Sequence, residues 1–128
     1  MAIVEAIQTT YLEAEAASVS FASIPQTYDH LQLRCSVRES FSAADRSAFA
    51  LRFNSTSTAT YGPLVWLGAL GTSPSVSAYT DSDVDDLCVI QYGMMGGNCP
   101  NVIYSSAVID ILDYTNANKT TSIAYMAG

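Results

Sequence analysis

The residues best suited to chemistry lie in one short acidic run, Asp81-Ser82-Asp83-Val84-Asp85-Asp86. Asp81, Asp83 and Asp85 alternate as the first three ligands of an EF-hand loop do, and carboxylate oxygens are what a hard cation takes. That loop needs glycine at its sixth position and glutamate at its twelfth; here those positions hold Asp86 and Tyr92. The run is therefore expected to be a solvated acidic tip with no functional metal, a looser calcium site being the alternative. His30 is the sole histidine. A catalytic triad would set it beside a nucleophile and an orienting acid, but Asp29 is its chain neighbour, and neighbours on a strand point to opposite faces. A structural histidine entering a strand is expected. The chain contains no GxSxG elbow, HExxH, phosphate loop or dinucleotide fingerprint. Two carboxylates meeting in space would escape a reading of this kind, yet no motif points to an enzyme or a cofactor.

Aromatic and sulfur side chains give a different signal. Tyrosine, tryptophan and methionine are enriched where proteins meet one another. Tyr61, Trp66, Tyr79, Tyr92, Met94, Met95 and Tyr104 fall in or beside expected loops and strand ends. The first six are the candidate interaction residues, with packing in the core or at its rim as the competing reading.

The elements that must position these residues read as strands. Leu31, Leu33, Cys35 and Val37 alternate with Gln32, Arg34, Ser36 and Arg38, which is the period of a strand with one dry and one wet face. Phe49, Leu51 and Phe53 repeat the pattern, and both sets are expected in one core. Further strands are expected at 2–12, 17–21, 64–67, 87–92, 102–112 and 122–126. A turn is expected at 13–17, where a good helix-forming stretch is too short to hold a helix alone. Residues 38–47, 54–60, 71–79, 93–101 and 113–119 read as loops or irregular chain, the last rich in turn-forming asparagine and aspartate. Residues 102–112 form the longest apolar run, expected to be covered on both faces or to meet a partner. Many short strands and no convincing helix predict an all-β fold, an antiparallel β-sandwich of jelly-roll type, as a single domain over 1–128.

Composition narrows the function. Only 13% of residues are charged, so the surface is rich in Ser and Thr or hidden against partners. A net charge of -7 excludes a sequence-independent grip on nucleic acid, which needs a basic face. No run approaches a membrane span, and no basic and apolar leader follows Met1. Cys35, Cys88 and Cys99 are odd in number and lack CxxC spacing, as expected of reduced structural thiols made in a reducing cytosol. The glycosylation-like triplets at Asn54 and Asn118 are then chance matches.

Phe21-Ala22-Ser23-Ile24-Pro25-Gln26-Thr27-Tyr28-Asp29-His30-Leu31-Gln32-Leu33-Arg34 resembles the F-x-x-I-P-Q-T-Y-x-x-L-x-L-R segment of small structural proteins of tailed bacteriophages. In the same order, Leu51-Arg52-Phe53-Asn54 with Tyr61 is similar to that family's L-R-F-N-x…Y. Residues 109–115 are similar to its I-x-I-x-x-Y, and 119–123 fall where it has K-S-I-S. The resemblance runs from about residue 17 to 124. The family opens on Gly and Ser where this chain has Glu13 to Ala17, and it usually continues into a glycine-rich segment and a final strand. A fold completed in another way, or a fragment, is therefore expected. The resemblance implies a non-enzymatic virion component assembled in the host cytoplasm, with no catalytic residues to carry over. Its expected partners are other copies of itself and a major capsid or tail protein. Capsid decoration or cement is the favoured role; the alternative is a tail or fibre component binding host-surface carbohydrate, with Trp66 and tyrosines stacking on sugar rings.

Overall fold

A computed structural model of the chain describes residues 4–40, 46–54, 88–100, 103–119 and 121–128, with residues 46 and 88–95 described by their backbone. The described residues form five strands and no helix: β1 (His30–Val37), β2 (Arg46–Leu51), β3 (Cys88–Met95), β4 (Ser105–Leu112) and β5 (Ser122–Ala127). They make a three-stranded sheet in the order β1-β4-β5 and a two-stranded sheet of β2 and β3, and every pairing is antiparallel. The fold is all-β.

β4 is the central strand, and its sequence suits that place. Ser105, Ala107, Ile109 and Ile111 alternate onto the buried face, Ile109 with 0% of its surface exposed. Side chains on the two flanking strands are half-buried in step with it. Leu33, Ile109 and Tyr125 form one cross-sheet row; Leu31, Ile111 and Ile123 form the next. Leu31, Leu33, Phe49, Leu51, Phe53, Tyr114, Ile123 and Tyr125 pack against Ile109 and Ile111. Residues of β2 thus reach the inner face of the other sheet, and Leu31 and Leu33 of the first alternating set share this core with Phe49, Leu51 and Phe53 of the second.

The β4–β5 ladder runs on through Gly128, whose N–H donates to Ser106 O at 3.0 Å while its carbonyl accepts from Ser106 N–H at 2.8 Å. The turn between these strands has the expected chemistry. Asp113 sits at a φ of 54°, a left-handed conformation that aspartate tolerates better than most residues. Its carbonyl accepts from Asn116 N–H at 3.1 Å, and the Asn116 side chain accepts from Asn118 N–H at 3.0 Å.

Three expectations are corrected. The described part of 2–12, and 17–21, form no strand, and Val4, Ile7, Tyr11, Leu12, Val19 and Phe21 are exposed. Alternation supplies only a face; a strand also needs an edge to pair with. Residues 93–95 are not loop but the end of β3, because Met94 and Met95 pair with Ser47 and Arg46. The run 102–112 is not covered on both faces either. Its strand begins at Ser105, and its outer face carries exposed Ser106 and Leu112. The acidic run 81–86, the expected strand 64–67 and the Ser-rich 71–79 lie outside the described residues.

Candidate interaction surface

Of the candidate interaction residues, Tyr61, Trp66 and Tyr79 lie outside the described residues, whereas Tyr92, Met94 and Met95 fall on β3. The β2–β3 register places Tyr92 at an irregularity. Between the pairs Ser47↔Met94 and Phe49↔Ile90 stand one residue of β2, Ala48, and three of β3, Gln91, Tyr92 and Gly93. Bulges of this kind bend a strand and interrupt its ladder. Tyr104, just before β4, is exposed.

Two surfaces that were not singled out in the sequence emerge from the geometry. The first is residues 4–29. They contain no helix or strand and bear the most exposed large apolar side chains among the described residues, Val4 at 88% and Tyr11 at 86%. Both ends of the segment are tied down. Tyr28 Oη donates to a carboxylate oxygen of Glu5 at 2.6 Å, which closes a loop of chain between them. Donating to the Glu5 carboxylate also pushes the Tyr28 phenol up from its ordinary value, because the bond favours the protonated form. Tyr114, whose ring packs on the core, donates from Oη to the Pro25 carbonyl. Gln26 Nε2 donates to Ile24 O at 3.2 Å and tightens the same proline turn. The signal available in the sequence was Pro25, which excludes a ladder through that point; what it did not reveal is that the apolar side chains stay outside.

The second is the outer face of the three-stranded sheet. Gln32 Nε2 donates to Asp110 Oδ1 at 2.7 Å across the β1–β4 ladder, and Gln32 Oε1 accepts from Arg34 Nε at 2.6 Å. Arg34, Val108 and Met126 occupy the next row, and Met126 is 73% exposed. This row sets a cation beside two apolar side chains.

His30 takes the structural part expected of it. Its Nδ1 accepts the Asp113 N–H at 3.0 Å, so that nitrogen carries no proton in this arrangement, and Asp113 Oδ1 lies 3.7 Å away. Lys119 pairs with the other Asp113 oxygen. The Lys119 hydrogen bond, helped by the Lys119 charge, holds the Asp113 carboxyl below its usual value. The group pins the β4–β5 turn to the start of β1 and has no nucleophile in it. At the far end of β1, Arg38 Nη2 donates to Cys99 O at 2.9 Å and Gly97 O at 3.3 Å, strapping the β3–β4 loop to the sheet. The Cys35 thiol is pushed up by burial, as suits a structural cysteine. Among the described residues no cluster of His, Cys, Asp or Glu could hold a metal ion, and no helix is long and apolar enough to cross a membrane. Compared with known proteins, the chain matches no family model, no curated protein and no solved structure.

Proposed function

We propose that this chain is a non-enzymatic structural subunit of a bacteriophage particle, a capsid decoration or cement protein that works by docking on other virion proteins. The observation that carries the reading is the exposed apolar segment 4–29, anchored at Tyr28 and Tyr114 yet packed on little of its own domain. A chain of low charge that holds large apolar side chains in water is suited to a surface that another protein covers. The resemblance of residues 21–34 to phage structural proteins supplies the class of particle. In this reading the two sheets face each other as a β-sandwich of jelly-roll type, a view supported by the packing of Phe49, Leu51 and Phe53 on Ile109 and Ile111.

The test is a reconstruction of the particle whose genome encodes the chain. Density for the domain at icosahedral positions in many copies is the expected result. A few copies at the tail would replace the decoration role with a fibre role, and absence from the particle would overturn the proposal.

A further inference from the structure

We infer that the loop spanning residues 4–29 is an exchange element. It leaves its own domain and lies across the outer sheet face of a second copy of this chain, on the row Arg34, Val108 and Met126. The inference deepens the docking reading but rests only on its premise that copies meet, not on the kind of particle.

Reach is the first support. With its ends held near each other by the Glu5–Tyr28 bond, the loop has 22 residues between them, since 28 − 5 − 1 = 22. Half of that length, fully extended, projects up to about 36 Å. Compact loops with neighbouring ends normally pack on their own side chains. This one leaves Tyr11 86% exposed and Leu12 exposed beside it, six and seven residues from Glu5, where an extended arm already reaches about 20 Å.

Charge gives the direction. Residues 4–29 carry Glu5, Glu13, Glu15 and Asp29 and no lysine or arginine. Glu13 and Glu15 directly follow Tyr11 and Leu12, and neither has an ion-pair partner among the described residues. On the sheet, Arg34 spends its Nε on Gln32, and among the described residues its two terminal nitrogens have no acceptor. The order of chemistry along the loop, apolar then acidic, matches the order across the sheet row, apolar at Met126 and Val108 and cationic at Arg34. A second copy therefore offers both halves of what the loop lacks.

The experiment mixes ¹⁴N- and ¹⁵N-labelled full-length protein carrying a photo-crosslinking phenylalanine analogue at position 11. Expected are cross-links between light and heavy chains that map to the peptides containing Val108 and Met126. Links confined to one isotope overturn the exchange, because they place the loop on its own domain. Links between copies that map elsewhere overturn the site. A sedimentation series decides the chemistry. Glu13→Arg and Arg34→Glu should each weaken self-association by about tenfold, and the two together should restore most of it. A double variant no better than the singles refutes the pairing. A wild-type chain that stays monomeric through the micromolar range refutes copy exchange outright, while the virion proposal would still be decided by the particle's own reconstruction.

Discussion

The segment 4–29 and strand β4 have similar material and opposite fates. Val4, Ile7, Tyr11, Leu12, Val19 and Phe21 are as apolar as Ala107, Ile109 and Ile111, yet the first group stands in water and the second forms the core. The difference is what lies alongside. β4 has β1 on one edge and β5 on the other, so each inward residue meets partners from two neighbouring strands and from β2 across the core. Residues 4–29 have no ladder beside them among the described residues, only anchors at their ends. Apolar character sets how much a segment gains on burial; the number of paired edges decides whether the gain is realised within one chain.

The sharpest way to break this contrast is at Ile109. Ile109→Asp would place a lone charge among Leu33, Leu31 and Ile111 and should abolish the folded state, read by circular dichroism and by loss of a cooperative transition. The milder Ile109→Ala should cost about 2–5 kcal/mol in denaturant unfolding. Next in size is the anchor between the two regions. Tyr114→Phe keeps the ring on the core and removes its hydrogen bond to Pro25, so it should lower stability by about 1 kcal/mol and speed hydrogen exchange near Gln26 and Thr27. A smaller effect follows from acid. The Asp113 carboxyl is lowered in the folded state by Lys119, so its contribution is whole above the ordinary value of 3.8 and fades as the pH falls through the lowered one. Asp113→Asn should flatten that acid-side loss, measured as the unfolding midpoint against pH. The smallest effect is at Tyr11. Tyr11→Ser should leave the unfolding free energy of separated copies within about 0.5 kcal/mol of the parent, since the side chain touches little of its own domain. A cost like that of Ile109→Ala would show that the two regions are not different after all.

The strands with strict alternation were legible in the sequence because a two-residue period and a buried face are local properties. β1 lies where Leu31 to Val37 placed it, and the turn 113–119 is where its asparagines put it. β2 overlaps the expected Phe49 to Phe53 but runs from Arg46 to Leu51, starting inside the expected loop 38–47 because Arg46 and Ser47 pair with Met95 and Met94. Pairing was not legible. Which strand sits in the centre depends on contacts far apart in the chain, and residues 2–12 and 17–21 look like strands until the lack of a neighbouring edge is seen. The glycines of 93–97 suggested loop, whereas pairing with β2 carries β3 through Met95, with its irregularity at Tyr92. The exposed loop and the Arg34 row were not legible at all, because finding them needed the register of three strands.

The sheet order has a consequence for synthesis. Among the described residues β1 closes only on β4, and the pair His30↔Leu112 is separated by 82 positions, since 112 − 30 = 82. At ribosomal rates of about 5–20 residues per second, β1 waits roughly 4–16 s for its neighbour to be made. Through that interval Leu31 and Leu33 lack Ile111 and Ile109, the residues they pair with. The sheet therefore forms late, after translation has passed β4, and slowly, because so distant a closure must be made before its contacts reward it. Copies made on one message are exposed to each other's unpaired β1 during this wait, so the rate of initiation, and not only the final stability, sets how much of the protein reaches its folded form.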